Sequence, residues 1–293
     1  MRKTSSLFLG LSLAVSGITM AAAQDQTTTP MKPPKYIEII VESTKPGKGG
    51  LAHDKTEGAY VQAMTKAKFP INYWAYNSMS GKSRELFISG FDSLGELGKA
   101  NAVLAAPGIA ASVEPINVAD GELLEESHTL ILSYVDDLSL RPEVDLFHHR
   151  YLEADILHVR QGHTKEFHEL AKMWVDMGQK AGPSAHWVCF RDEYGEDNGY
   201  FVCLTPDNSL DAVDAADADF NKVNSALSDE EKKKIGELRA GALDEDRSEI
   251  YSVNPAQSYV PDAFIKADPG YWKAKMGATK PAAKAAMDDK KAQ

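Results

Sequence analysis

One short stretch occurs twice in this 293-residue chain and limits what it can fold into. The first copy reads Pro70-Ile-Asn-Tyr73-Trp74 and the second Pro183-Ser-Ala-His186-Trp187. Each is followed by an apolar run, a polar turn and a second apolar run, ending at Ile88 and Leu204. Short apolar runs on either side of a Gly-bearing turn read as a β-hairpin. Other landmarks repeat in the same order. Gly47 and His53 match Gly162 and His168 at a spacing of 115, and Pro70 and Trp74 match Pro183 and Trp187 at 113. Ser93-Leu94 match Ser209-Leu210 at 116, and Ser133, Ser139 and Pro142 match Ser252, Ser258 and Pro261 at 119. The spacing changes near a helix end, in the hairpin turn and once more between the second helix and the returning strand, while the order of landmarks is kept, as in a duplicated supersecondary unit.

The segments around the hairpins complete the unit. Tyr36 to Glu42 is apolar and β-branched, a strand, and a Pro-Gly-Lys-Gly-Gly turn follows it. A helix from about Leu51 to Lys68 places Ala52, Thr56, Ala59, Tyr60, Ala63 and Ala67 on one face. Asp92-Ser93 caps a second helix, and Thr129 to Tyr134 is the returning strand. In the second half Ala154 to Arg160 is a strand, and the next helix carries Phe167, Leu170, Ala171, Trp174 and Gly178 on one face. Ser228-Asp-Glu-Glu231 matches a capping box, and Glu249 to Val253 is the last strand. Each unit reads β-α-β-β-α-β, the ferredoxin-like plan. The expectation is an α+β chain with units at 36–142 and 143–262, then an extension over 263–293 that is disordered toward its end. One face of each sheet is covered by its own helices, and the other needs a partner. The second unit supplies it, giving two tandem ferredoxin-like units closed into a single-chain barrel pseudo-dimer, with further self-association left open.

The formal net charge is −11. That argues against nucleic-acid backbones, which demand clustered Lys and Arg, and against anionic membrane surfaces. Residues 1–23 read as a signal peptide: basic Arg2 and Lys3, an apolar run from Leu7 to Met20, then Ala21-Ala22-Ala23. Residues 24–35 read as a flexible leader. Losing two positive charges with the signal takes −11 to −13. The expected location is therefore the periplasm or the extracellular space, with no membrane attachment after cleavage. An oxidising compartment allows one disulfide between Cys189 and Cys203. Their midpoint is residue 196, the centre of the hairpin turn, which sets the two opposite one another. The matching pair in the first half is Tyr76 and Phe87. Buried free thiols are the alternative.

On the Gly-bearing turn after the first strand, the helix, the Trp hairpin and the returning strand, the chain resembles the dimeric α+β barrel superfamily. That superfamily includes antibiotic-biosynthesis-type monooxygenases and NIPSNAP-like proteins. The run from His158-Val-Arg160-Gln-Gly162-His163 through Ser258-Tyr-Val-Pro261 resembles a group of uncharacterised secreted bacterial proteins that carry the unit in tandem. The resemblance spans residues 36–262 and implies architecture. It brings no monooxygenase or haem-binding residue set with it.

Dinucleotide, Walker, zinc-peptidase, C-x-x-C and G-x-S-x-G motifs are missing from the sequence. No metal-ligand spacing is recognisable and no catalytic residue is assigned. His148-His149 read as surface imidazoles in a linker. The pocket candidates are His53, Tyr73, Trp74, His158, His168, His186 and Trp187. His53 and His168, at matching helical positions, either point into a cleft or hold helix to sheet through a hydrogen bond. The expectation is a binding or structural protein for a small, partly apolar molecule. The alternatives are a cofactor-independent oxygenase or isomerase using pocket histidines, and a haem-handling protein with an axial His158 or His168. No cofactor is expected, and haem enters only with the last of these alternatives.

Overall fold

The computed structural model describes residues 32–276. The signal-peptide segment, most of the leader and the end of the extension lie outside the described residues. Eight strands form one closed barrel in which every neighbouring pair is antiparallel. They are β1 (Tyr36–Thr44), β2 (Tyr73–Ser78), β3 (Glu85–Phe91), β4 (Leu124–Tyr134), β5 (Tyr151–Val159), β6 (Val188–Tyr194), β7 (Tyr200–Asp207) and β8 (Leu243–Val253). Around the barrel they run β1-β3-β2-β8-β5-β7-β6-β4. Each half therefore contributes its strands in the same order, fourth-first-third-second. The seams between halves are β2 with β8 and β4 with β6.

The helices come in the same places in both halves. The first half has α1 (Leu51–Ala67), α2 (Leu94–Leu104) and α3 (Pro107–Gly121). The second has α4 (Thr164–Ala181), α5 (Leu210–Ala226) and α6 (Asp229–Ala242), with α7 (Asp262–Ala267) and α8 (Pro269–Met276) beyond the last strand. Ser93, Ser209 and Ser228 each accept a hydrogen bond from the first turn of a helix, and Ser228 with Glu231 completes the capping box read from the sequence.

Strand alternation divides the core in two. Side chains two apart along a strand share a face. Ile37, Ile39 and Val41 of β1 thus fill the barrel with Leu152, Ala154 and Ile156 of β5, Tyr76, Phe190 and Tyr251. The intervening residues face the helices outside. Phe264 of α7 and Trp272 of α8 join the interior cluster. The extension is thus structured through α8, because two large aromatics gain more by leaving water than the segment loses in chain freedom.

The linker histidines are not alike. His148 is partly exposed and pairs with Asp145 at 2.6 Å. His149, read from sequence as a surface imidazole, is 2% exposed and stacks on Tyr76 with ring centroids 5.6 Å apart. The linker passes over the barrel end, and its neighbouring residues point opposite ways, one out and one in.

The hairpins correct one register. Cys189 stands opposite Cys203 and the two are disulfide-bonded. In the first half Phe87 stands opposite Ala75, and Tyr76 opposite Leu86. Tyr76 and Phe87 are therefore no pair. Ala75 is the counterpart of Cys189, one residue from the position implied by the repeated Pro and Trp. A one-residue slip moves a side chain to the other face. Trp74 accordingly lies inside the barrel, stacked on Phe147 at 4.1 Å, whereas Trp187 lies on the helix side and donates from Nε1 to the Leu138 carbonyl at 2.8 Å. The two tryptophans are not equivalent.

Candidate functional site

The helix-facing side of the first half begins with a conflict. On β1, Glu38, Ile40 and Glu42 alternate with the barrel-filling residues, and Glu42 stands directly opposite Glu85 of β3. Like charges at opposed strand positions repel. The first turn of α1 places His53 between them. Its imidazole is fully buried, with Nε2 3.2 Å from Glu42 Oε2 and Nδ1 3.0 Å from Glu85 Oε1. Nε2 also faces Asp120 Oδ1 of α3 at 3.3 Å and Glu57 Oε1, one helical turn on, at 3.8 Å. The Thr56 hydroxyl donates to Asp120 Oδ1 at 2.6 Å, and the Ser127 hydroxyl donates to Glu42 Oε1 at 3.4 Å.

Two opposing forces set the charges. Burial disfavours the imidazolium, but the surrounding carboxylates of Asp120, Glu42 and Glu85 outweigh it and push His53 up to about 12. Glu57 has the reverse fate. Burial, reinforced by the charges of Glu42 and Asp120, pushes its carboxyl up to about 9. At neutral pH the protein's own groups thus settle as an imidazolium with a protonated Glu57 beside it.

Glu42 and Glu57 open on one side into a cavity of about 470 Å³ between the sheet and α1, α2 and α3. Tyr60, Tyr73, Met64 and Phe87 supply much of its wall, and Asn101 and Asn117 its polar rim. Burial raises the hydroxyls of Tyr60 and Tyr73, so both are donors at neutral pH. The arrangement offers an apolar chamber with a few convergent polar groups at one end.

The second half builds the same frame from other chemistry. Leu157 stands opposite Phe201 as Glu42 stands opposite Glu85. Phe167 and Ala171 of α4 occupy the buried face that His53 and Glu57 occupy on α1. Gly178 lets α4 come close, since a Cβ there would lie 2.4 Å from Leu140 Cδ2. The cavity here is smaller, about 280 Å³, with the Cys189–Cys203 bridge on its wall.

The sequence-derived candidates scatter over this frame. Tyr73 lines the first cavity, and His186 and Trp187 line the second. His186 is held at both ring nitrogens, Nδ1 2.7 Å from Ser184 O and Nε2 3.0 Å from Pro206 O. Trp74 is inside the barrel. His158 lies at the strand surface near Asp244, and His168 is partly exposed beside Asp137 at 3.5 Å. His53 and His168 are not equivalent, because the buried face of α4 runs through Phe167 and leaves His168 one step round the helix. The buried face of α1 runs through His53, Glu57, Val61 and Met64, not through the alanines read from the sequence. Hydrophobicity mis-set that face because two ionisable groups sit at its centre. Glu42, Glu57, Glu85 and Asp120 were missed altogether. The available signal was Glu42 on an inward-alternating apolar strand and Glu57 at i+4 from His53.

Neither His158 nor His168, the axial candidates for a haem, lines either cavity. Among the described residues the one histidine lining either cavity is His186, whose ring nitrogens both face carbonyl oxygens.

No family model matches the chain, and no curated protein matches it. Solved structures share its general shape at low identity. An anthrone oxidase-like protein has 15% identity and a TM-score of 0.46, covering 75% of this chain and 91% of its own. A heme-binding protein from Thermus thermophilus has 13% identity and a TM-score of 0.43, covering 81% and 96%. A mutant chlorite dismutase from Candidatus Nitrospira defluvii has 8% identity and a TM-score of 0.47, covering 80% and 95%. Likenesses of this degree assign neither ligand nor activity to this chain.

Proposed function

We propose that this chain is an exported small-molecule-binding protein, a tandem pseudo-dimer of ferredoxin-like units that takes a partly apolar ligand in its first-half cavity. The observation that carries the reading is the composition of that cavity: about 470 Å³, aromatic and aliphatic along its length, with Glu42, Glu57 and two tyrosine hydroxyls gathered at its polar parts. A ligand with an apolar body and a hydrogen-bonding or cationic end suits it. The repeated strand order supports the pseudo-dimer, and the Cys189–Cys203 bridge supports export to an oxidising compartment. Proton transfer by a pocket histidine has less support, since His53 lies behind the carboxylates and not on the cavity wall.

A thermal-shift screen tests the reading. A ligand at 100 times its dissociation constant stabilises by about 2.7 kcal/mol. Val113→Trp fills the first cavity and Ala216→Trp the second. A compound that raises the Tm of wild type and of Ala216→Trp, but not of Val113→Trp, supports the first-half site. The opposite pattern moves binding to the second half, and no shift across the screen favours a purely structural role.

A further inference from the structure

We infer that Glu42, His53, Glu57 and Asp120 form a binding site for a first-row divalent cation, with Glu85 orienting the histidine. Four ligand atoms, one from each residue, lie within 4.8 Å of one another. Three carboxylate oxygens converge on a single imidazole nitrogen, at 3.2, 3.3 and 3.8 Å from Nε2. One N–H cannot serve three acceptors. Ligand atoms bound at ~2.0–2.1 Å around a tetrahedral ion stand about 3.3–3.4 Å apart; the Glu42 and Asp120 oxygens already stand at nearly that distance from Nε2, and the Glu57 oxygen, at 3.8 Å, has to close in.

The surroundings point the same way. Glu57 is 5% exposed, and its Oε1 faces His53 Nε2 at 3.8 Å, too far for a hydrogen bond. A buried carboxyl so weakly held needs a cation or a proton. The far nitrogen of His53 lies 3.0 Å from Glu85 Oε1, an ion-pair contact without hydrogen-bond alignment that sets a carboxylate behind the imidazole. Thr56 and Ser127 hydroxyls hold the Asp120 and Glu42 carboxylates. The second half, built on the same frame, places Leu157, Phe167, Ala171 and Phe201 there instead. The frame alone therefore does not demand these charges. One nitrogen and three oxygens suit zinc or manganese over soft ions that prefer sulfur. Glu42 and Glu57 face the cavity, so the ion has an open side toward it.

The test reads metal alone and does not depend on any ligand of the cavity. The purified full chain is stripped with EDTA and titrated by calorimetry with zinc chloride or manganese chloride, and the absorption of the cobalt(II)-loaded wild type is recorded. Expected are one bound ion per chain, a raised Tm, cobalt d–d bands, and at least tenfold weaker binding in Glu57→Gln and Asp120→Asn. Glu85→Gln should weaken binding 10–100-fold through the histidine, and His168→Ala should bind as wild type. Absence of binding by the wild type overturns the site. So does binding that persists unchanged in folded Glu57→Gln and Asp120→Asn, which would place the ion elsewhere.

Discussion

His149 carries two ring nitrogens into the barrel end, and neither has a hydrogen-bond partner among the described residues. Burial first, then the charges of Arg150, His148 and His186, lower its pKa to about 3. An unfolded histidine titrates near 6.5, so below that pH the unfolded chain takes up a proton that the folded ring refuses. Stability is then lost as pH falls from about 6.5 toward about 3, by on the order of 1.4 kcal/mol per unit. His149→Phe should flatten this acid limb in Tm-against-pH curves, and an unchanged limb would refute the assignment. The disulfide is a second residue-scale device. Replacing both cysteines by alanine, or reducing the bridge, opens a 14-residue separation and should cost about 3 kcal/mol, measurable by denaturant titration. Cys189 and Cys203 were legible because symmetry about a turn needs only counting. The acidic cluster was not, because Glu42 and Asp120 are distant in sequence and meet only once the sheet and α3 are in place.

At the scale of elements, the chain's alternation and caps were readable while its rotations were not. Strand β1 shows its inward face in Ile37, Ile39 and Val41, and α4 shows its own in Phe167, Leu170 and Ala171. Helix α1 misled because alanines mark a face only weakly when His53 and Glu57 hold the buried one. In β2 the repeated tryptophan marked the wrong face, since a lone aromatic is welcome on either side of a sheet. Helix α8 had no periodic signal in the sequence. It is held by Trp272, 1% exposed, against Phe264 and Tyr271. Trp272→Ala should lower stability by about 3–5 kcal/mol, and unfolding titrations that show less than about 1 kcal/mol would mean the helix is only laid on the barrel. Gly178→Ala should also destabilise, because the added methyl meets Leu140 and Trp187 with no room to turn aside.

For the whole molecule, closure is the governing fact. The two seams are short, three paired positions between β2 and β8 and four between β4 and β6, yet they leave no free sheet edge. A separated half exposes both edges and its share of the barrel core. Residues 32–142 expressed alone should therefore dimerise or aggregate, and a stable monomer by size-exclusion chromatography would contradict this. Joining both halves in one polypeptide has a further result. In a barrel assembled from two identical chains, every change is made twice, and a harmful change on one side cannot be avoided on the other. Here each change is made once. The first half is free to gather ionisable groups behind its strands, while the second keeps an oily interior and a covalent staple to hold the shared wall steady.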